Sequence, residues 1–489
     1  MKISEWMVNS GVEFGTSGAR GLVSAMTDAV CFAYTVGYLK HLEALGEFSP
    51  KASVAIAGDL RPSTPRILRA CAAAITWMKG QPVFCGFVPT PALSFYAFSR
   101  GIPSLMVTGS HIPDNRSGIK FNRISGEFLK SDEAIMRAQD VVLPEGWFDA
   151  QGALKIDVAL PAVTDVVTDY IERYRHFFGA DSLNGLTLGI YQHSAVGRDV
   201  LVGVVEALGG KAVPLARSDV FVSVDTEAVR PEDVNLARGW GQEGLYDAIL
   251  TTDGDSDRPL LADQRGRWIR GDVLGILAAQ KLGAAAVSTP VSSNTALEAS
   301  GFVPSVRRTR IGSPFVVSAM MDAVAEGVIP SMGYEANGGF LLVSDIMRDG
   351  KILRSLPTRD AVLPMICALI MAQKYRGGLE ELLLILPSRF TVSDRLKEIS
   401  TERSKAQLQI LRDDVPGVAE ALGFVAACGP VAHVNETDGI RMIFKHGDII
   451  HLRPSGNAPE LRMYVEADTQ ERAEKLLTQG LNSVANWLA

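Results

Sequence analysis

The sequence predicts an α/β protein in which several mixed α/β units precede a smaller α+β unit. Over most of the chain, short apolar runs typical of buried strands alternate with helical patterns. The last hundred residues differ, because alternating strands follow one another and a single long helix comes last. With 489 residues and about 150 residues per domain, three or four domains are expected.

The first unit shows the alternation most clearly. Strands are predicted at residues 53–57, 83–88 and 105–107, and a helix with a proline in its first turn at residues 65–78. Ligands bind beyond the carboxyl ends of strands in such sheets. Ser110, just after the third strand, is therefore expected at a binding edge.

The later units also contain predicted strands and helices. The predicted elements are a helix at 163–178, a strand at 186–191, a helix at 199–208, a strand at 247–250, a helix at 272–282, a strand at 286–288, a strand and turn at 339–345, and strands at 439–452 and 461–466 before the last helix. Arg376-Gly377-Gly378 predicts the final linker. The expected domains are residues 1–156, 157–258, 259–378 and 379–489.

Composition indicates an ordinary globular protein, with 47% hydrophobic and 21% charged residues. A balance of 48 basic against 55 acidic residues argues against general nucleic-acid binding. Five widely spaced cysteines without a C-x-x-C pair indicate neither a disulfide framework nor a zinc site. The start lacks an apolar signal segment, and no run reaches the ~18 to 20 residues of a membrane span. We therefore expect a cytoplasmic protein without a membrane partner.

Ser110 lies within the run L-M-V-T-G-S-H-I-P-D-N-R-S-G-I-K-F, in a loop rich in turn formers. The loop differs from the nucleophile elbow of α/β hydrolases, since T-G-S-H-I lacks the flanking glycines of G-x-S-x-G. On this evidence alone, a turn serine is the more economical interpretation.

An acidic loop, T-D-G-D-S-D-R-P, follows a second apolar run. Asp253, Asp255 and Asp257 alternate along it, so their carboxylates can converge on one Mg²⁺ ion. An EF-hand is excluded, because Arg258 and Gln264 occupy the positions where that loop needs glycine and glutamate. A surface acidic turn remains the alternative.

Two further loops complete the set: G-Y-E-A-N-G-G-F at residues 333–340 and L-R-P-S-G-N-A-P-E-L-R at residues 452–462. In the second, Ser455 and Gly456 can direct a hydroxyl and backbone N–H groups toward a phosphate. Arg453 can add a bidentate contact. A plain hairpin turn would have the same sequence features.

The order and spacing of these four loops, with G-T-S-G-A-R-G at residues 15–21, resemble the α-D-phosphohexomutase family. The resemblance runs from about residue 11 to the C-terminus. It implies three related α/β domains and a smaller α+β domain around one central cleft. The implied enzyme is an intramolecular phosphotransferase, most similar to bacterial phosphomannomutase/phosphoglucomutase.

The resemblance also implies roles for individual residues. Ser110 would carry the phosphoryl group and bind Mg²⁺ together with the three aspartates, while Arg258 would face the transferring group. The implied substrate contacts are Arg258, Arg310, Glu335 and Asn337, and the implied phosphate contacts are Arg453, Ser455, Gly456, Asn457 and Arg462. Family members often have Thr-Glu where this chain has Asn457-Ala458.

The general acid/base is less defined, because many relatives have G-E-M-S-G-H where this chain ends the motif with Gly339. Proton transfer would then fall to Arg20, Lys120, His111 or water, with Lys120 and His111 ranked first. A structural role for His111 is an equal alternative, and His193 is expected to be structural.

The expected reaction interconverts mannose 6-phosphate and mannose 1-phosphate through a phosphoserine and a hexose 1,6-bisphosphate, which also serves as activator. Phosphoglucomutase and phosphoglucosamine mutase are the near alternatives. A haloacid-dehalogenase-type phosphatase would use Asp253 as nucleophile but requires Thr or Val at position 257. A non-catalytic sugar-phosphate-binding protein is the remaining alternative. The expected partners are small sugar phosphates, and the expected assembly is a monomer or weak dimer.

Overall fold

The computed structural model describes residues 1–15, 18–455 and 459–488. Their strands form four large sheets and one separate hairpin. The first three sheets contain both parallel and antiparallel strands, whereas the fourth is wholly antiparallel. None of the helices in the described ranges is both long enough and apolar enough to cross a membrane.

The first unit has a seven-stranded sheet in the order β1-β2-β6-β5-β3-β4, with β7 beside β6. Its elements are α1 (Ile3–Ser10), β1 (Glu13–Phe14), β2 (Ala19–Leu22), α2 (Asp28–Ala44), β3 (Ser53–Gly58), α3 (Thr64–Trp77), β4 (Gln81–Phe87), α4 (Thr90–Arg100), β5 (Ser104–Val107), β6 (Arg116–Arg123), β7 (Gly126–Glu127) and α5 (Lys130–Arg137).

The second unit has a five-stranded sheet in the order β12-β11-β10-β8-β9. Its elements are α6 (Val167–Phe178), β8 (Thr187–His193), α7 (Arg198–Ala207), β9 (Lys211–Arg217), α8 (Pro231–Glu243), β10 (Ala248–Thr252), β11 (Pro259–Ala262) and β12 (Trp268–Ile269). The expected boundary after residue 258 cuts this sheet, because β11 pairs with β10 and β12 pairs with β11.

The third unit has the strand order β14-β13-β15-β16-β19, and β17 and β18 form the separate hairpin. Its elements are α9 (Gly271–Leu282), β13 (Ala286–Pro290), α10 (Ala296–Ser300), β14 (Ser305–Thr309), α11 (Ser313–Ala325), β15 (Ser331–Tyr334), β16 (Phe340–Leu342), β17 (Ile346–Arg348), β18 (Lys351–Leu353), β19 (Leu356–Asp360), α12 (Val362–Ala372) and α13 (Gly378–Leu383). Gly378, expected in a linker, begins α13, and Leu379 and Leu382 on this helix join the core of the α/β units.

The fourth unit has the strand order β20-β24-β23-β22-β21. Its elements are β20 (Phe390–Lys397), α14 (Thr401–Asp413), α15 (Val415–Ala421), α16 (Phe424–Cys428), β21 (Val431–Asn435), β22 (Ile440–Phe444), β23 (Ile449–Pro454), β24 (Glu460–Ala467) and α17 (Gln470–Leu488). This unit has its own core, in which Met463, Leu476 and Val484 pack together.

The three α/β units repeat one topology, which confirms the predicted fold class. In each, three parallel strands are followed by one antiparallel strand: β4-β3-β5-β6, β9-β8-β10-β11 and β14-β13-β15-β16. The turn between the last two strands of each set holds Ser110, the three aspartates and Glu335 respectively. The repeated topology therefore places three predicted loops at equivalent sheet edges.

Candidate active site

The Ser110 loop is held in a defined conformation. Ser110 is fully buried, has a φ of 57°, and its backbone N–H donates to Thr108 Oγ1 at 2.7 Å. A positive φ is uncommon for serine and costs of order 1–3 kcal/mol, so the surrounding contacts must enforce it. The backbone at Ser110 is therefore held in one conformation.

Arg61, which sequence reasoning missed, supplies much of that support. Its guanidinium donates to the backbone oxygens of Ser110 at 2.8 Å, Ile112 at 2.6 Å and Pro113 at 2.8 Å, and it pairs with Asp59 at 3.0 Å. Arg61 follows β3, and β3 lies beside β5. This position at the carboxyl edge of the neighbouring strand is the one sequence signal that points to Arg61.

The aspartate loop meets the serine loop directly. Ser110 Oγ donates to Asp253 Oδ2 at 2.6 Å, and Asp253, Asp255 and Asp257 are all buried. Gly254 allows this approach, because a Cβ there would lie 2.7 Å from the Ser110 carbonyl oxygen. The predicted serine and aspartates therefore form one cluster, which a solvated acidic turn would not do.

The aspartate cluster fits a divalent cation. One ligand oxygen from each aspartate lies within 4.8 Å of the others, and Oδ1 of Asp255 and of Asp257 is buried without a hydrogen-bond partner among the described residues. Buried carboxylate oxygens are costly unless paired or bound to a metal, and Mg²⁺ prefers such ligands. The residues present therefore match the metal that the sequence predicts.

Lys120 reaches the cluster from β6. Its Nζ donates to Asp255 Oδ2 and to Asp257 Oδ2, each at 2.5 Å. Burial and the two neighbouring carboxylates raise the pKa of Asp253 well above its usual range. For Asp257 burial acts in the same direction, but Arg359 and Lys120 overcome it and hold the pKa far below its usual range. The cluster is thus a network of ionisable groups in which Lys120 and Arg359 already contact the aspartates.

His111 and Arg258 lie on the rim of the cluster. Arg258 Nη1 donates to His111 Nδ1 at 2.9 Å, and Ser223 Oγ donates to the His111 carbonyl oxygen. Burial, followed by the charge of Arg258, lowers the pKa of His111 to about 3. The imidazole is therefore neutral at pH 7 and orients Arg258, in line with the structural alternative for this histidine.

Arg20 and His193 have different surroundings. Arg20 is half-buried on β2, and burial together with Arg258 and Arg359 lowers its pKa to about 10, so it faces the same cationic region. His193 is buried, its Nε2 lies 2.9 Å from the Thr252 carbonyl oxygen, and burial lowers its pKa to about 4. His193 therefore stabilises the C-terminal end of β10, where Thr252 lies.

In the third loop, Glu335 and Asn337 are both buried. Asn337 Oδ1 accepts from the Gly339 N–H at 3.0 Å, and Thr226 Oγ1 donates to the Asn337 carbonyl oxygen at 2.8 Å. Oδ1 therefore has one of its two acceptor sites occupied inside the loop, and the amide nitrogen of Asn337 is the more available contact for a ligand. Glu335 Oε2 instead accepts from Arg359 at 3.1 Å.

The fourth loop lies between β23 and β24, where Arg453 and Arg462 are opposed in register. Arg453 and Ser455 are buried, Arg462 is half-buried, and the Ser455 N–H donates to the Glu460 carbonyl oxygen at 2.8 Å. Nε of Arg453 and Nε of Arg462 are buried without a hydrogen-bond partner among the described residues. Gly456 and Asn457 lie outside the described residues.

Arg310 is exposed, and its guanidinium lies 5.1 Å from the centre of the Phe315 ring. It is linked to the fourth loop through its neighbour, since the Ile311 N–H donates to Asp438 Oδ2 at 2.9 Å. The same oxygen of Asp438 lies 3.6 Å from Arg453 Nη1. Arg310 therefore belongs to the region of the hairpin rather than to the serine cluster.

A buried serine beside three buried carboxylates that could hold a metal ion, within this repeated topology, is the arrangement expected of a phosphoryl-transfer enzyme. Residues 11–139 match the family model described as phosphoglucomutase/phosphomannomutase alpha/beta/alpha domain I, and residues 399–481 match that of the C-terminal domain. The chain belongs to the phosphoglucomutase/phosphomannomutase family, the phosphohexomutases, which are isomerases.

Relatives match over nearly the whole length. The chain is 42% identical to a phosphomannomutase of Salmonella muenchen, covering 98% of this chain and 97% of the relative. It is 41% identical to a phosphomannomutase of Sinorhizobium fredii, covering 96% and 98%. A phosphoglucosamine mutase of Anaeromyxobacter dehalogenans is 27% identical, covering 95% and 96%.

Solved structures share the fold. A phosphoglucomutase/phosphomannomutase family protein of Burkholderia thailandensis superposes with a TM-score of 0.70 at 18% identity, covering 96% of this chain and 97% of that chain. The phosphoglucomutase parafusin of Paramecium, in an open form, gives 0.68 at 16% identity, covering 97% and 95%.

Proposed function

We propose that this protein is a phosphomannomutase that interconverts mannose 6-phosphate and mannose 1-phosphate. The observation that supports it most directly is 41–42% identity, over nearly the full length, to two proteins named phosphomannomutase. The phosphoglucosamine mutase of Anaeromyxobacter dehalogenans is more distant, at 27%. The contact between Ser110 and Asp253 supports a catalytic rather than a purely binding role.

Ser110 is the proposed phosphoryl carrier. Its phosphoryl group passes to the free hydroxyl of a hexose monophosphate, which gives free serine and a hexose 1,6-bisphosphate. The sugar then turns in the cleft, and the other phosphoryl group passes back to Ser110 Oγ. One P–O bond breaks and one forms in each half-reaction, so a single serine serves both directions.

Asp253, Asp255 and Asp257 are the proposed Mg²⁺ ligands, together with an oxygen on Ser110. When bound, the ion offsets the charge on the phosphoryl oxygens. Arg258, held by His111 at 2.9 Å, offers its guanidinium to the same region. Lys120 is the proposed proton-transfer group, because its Nζ reaches the aspartate cluster that also contacts the Ser110 hydroxyl. Arg20 and His111 remain alternatives for this step.

The non-reacting end of the substrate is assigned to the other loops. Glu335 and the amide nitrogen of Asn337 are proposed to bind sugar hydroxyls. The proposed phosphate contacts are Arg310, Arg453, Ser455, Gly456, Asn457 and Arg462. Nε of Arg453 and Nε of Arg462 are buried and have no hydrogen-bond partner in the described part of the chain, which supports this assignment because a phosphate would satisfy them.

The activator, the cellular location and the assembly of the protein can also be proposed. Hexose 1,6-bisphosphate would act as activator by phosphorylating a Ser110 that has lost its group. The five buried, unpaired cysteines suit a reducing compartment, which supports a cytoplasmic location. A monomer or weak dimer is expected, and light scattering after size-exclusion chromatography tests it.

The function is tested by comparing mannose, glucose and glucosamine 1-phosphates as substrates, with Mg²⁺ and a catalytic amount of the matching bisphosphate. The highest kcat/KM is expected for mannose 1-phosphate. A preference for glucosamine 1-phosphate would reassign the enzyme within the family. Release of inorganic phosphate without isomerisation would instead indicate a phosphatase.

A further inference from the structure

Arg359 lies between the aspartate loop and the sugar loop, although no predicted motif contains it. It is on β19 and is only 2% exposed. Its Nε donates to Asp257 Oδ2 at 3.0 Å, and its Nη1 donates to Glu335 Oε2 at 3.1 Å. One planar guanidinium thus connects a proposed metal ligand from the second unit with a proposed sugar ligand from the third.

The sugar loop leaves room for this side chain. A Cβ on Gly339 would lie 2.4 Å from Arg359 Cδ and 2.6 Å from its Cγ. Side-chain atoms do not approach so closely, so any residue larger than glycine at position 339 would displace the arginine. The glycine that ends the G-Y-E-A-N-G-G motif is therefore matched to Arg359.

The contacts of Asp257 show what the arginine does at the metal side. Both Arg359 and Lys120 donate to the same atom, Asp257 Oδ2, at 3.0 Å and 2.5 Å. Oδ1 of Asp257 is buried and has no hydrogen-bond partner among the described residues. Holding Oδ2 fixes the carboxylate, and Oδ1, which faces Arg258 Nε at 3.6 Å, is the oxygen left for a metal ion.

We propose that Arg359 is a positioning residue that couples divalent-cation binding to sugar binding. It orients Asp257 for the metal and Glu335 for the sugar hydroxyls, so that ordering either carboxylate through its ligand also orders the other. Such coupling is reciprocal: the metal tightens sugar binding by the same factor as the sugar tightens metal binding. The identity of the sugar rests on the proposed function, whereas the bridge between the two loops does not.

The main test is Arg359→Lys, which keeps the charge but loses the planar fork that reaches two carboxylates. Mn²⁺ affinity is measured by electron paramagnetic resonance, and mannose 1-phosphate affinity by calorimetry, each with and without the other ligand. The phosphorylation state of Ser110 is first matched between proteins by intact mass.

In the parent protein we expect each ligand to tighten the other by at least about fivefold, the low end of typical coupling. In Arg359→Lys both affinities should fall and the coupling factor should approach one. Glu335→Gln should weaken mannose 1-phosphate binding while leaving the affinity for Mn²⁺ alone near that of the parent. Undiminished coupling in Arg359→Lys would overturn the inference.

Two further variants separate positioning from folding. Arg173→Lys changes another buried arginine, which pairs with Asp360 at 2.9 Å. It should lower the thermal midpoint without changing Mn²⁺ affinity or coupling. Gly339→Ala keeps Arg359 but introduces a methyl group that clashes with Cγ and Cδ of its side chain. It should therefore reduce coupling in the same way as Arg359→Lys. It also keeps the inference testable where Arg359→Lys fails to fold.

The two proposals fail differently. A parent enzyme that prefers another hexose phosphate changes the proposed function, and the coupling is then measured with that sugar. A parent phosphomannomutase in which Gly339→Ala and Arg359→Lys leave coupling intact retains its function and loses only the role given to Arg359.

Discussion

The serine cluster and the hairpin between β23 and β24 both contain several basic side chains, but these side chains have different partners in the two regions. Around Ser110, Lys120 contacts Asp255 and Asp257, and Arg359 contacts Asp257 and Glu335. At the hairpin, Nε of Arg453 and of Arg462 is buried with no partner among the described residues. The first region is preorganised for a reaction at a fixed place. Under the proposed function, the second would keep donors for a phosphate that leaves and returns in another orientation.

The largest effect is expected at the reacting atom. Ser110→Ala removes the proposed phosphoryl carrier and should lower kcat by at least about 10⁴-fold, because covalent transfer through this hydroxyl is lost. Steady-state kinetics and intact mass after incubation with bisphosphate check this. An alanine variant that keeps parent turnover, or still gains phosphate, would place the carrier elsewhere.

The next effect tests whether the three aspartates act together on a metal. Excess chelator should abolish turnover, and Asp255→Asn should lower it by about 10²- to 10³-fold at saturating Mg²⁺, since one of three charged ligands is lost. Titration of activity with Mg²⁺ provides the measurement. Full activity in chelator would restore the interpretation of residues 253–257 as an acidic turn.

A substitution in the hairpin should affect binding and catalysis together. Arg453→Ala should weaken substrate binding by about 2–4 kcal/mol. This is the loss typical of truncating one partner of a buried charged contact. Because the anchored phosphate positions the reacting hydroxyl, KM should rise and kcat should fall together. Release of bisphosphate during turnover should also increase, and radiolabelled intermediate measures it. Unchanged KM, kcat and release would reduce the hairpin to a turn.

The sequence predicted residues that lie in local motifs, but it did not predict residues that act through long-range contacts. Ser110, the aspartates and the hairpin residues lie in contiguous motifs, so their chemistry is visible locally, and alternating apolar runs predicted the fold class. Arg61 and Arg359 act on partners 49 and 102 residues away, at Ser110 and Asp257. No local pattern marks such long-range contacts, which form only when neighbouring strands and units assemble. The contacts near residues 258 and 378 are also long-range, since β11 pairs with β10 and α13 packs into the core of the α/β units.

The smallest effect is expected at Arg310, and it decides how far the binding region extends. Arg310 is exposed and stacks on Phe315, an interaction of about 0.5–1 kcal/mol at such sites. If it contacts the substrate phosphate, Arg310→Ala should raise KM by roughly tenfold or less, because an exposed charge–phosphate contact is screened by water and salt. The KM increase should shrink at high ionic strength, and Arg310→Lys should restore most of it, since a point charge suffices there. An effect as large as that of Arg453→Ala would mean that the cleft closes over Arg310 in the complex. No effect at any ionic strength would confine phosphate binding to the hairpin.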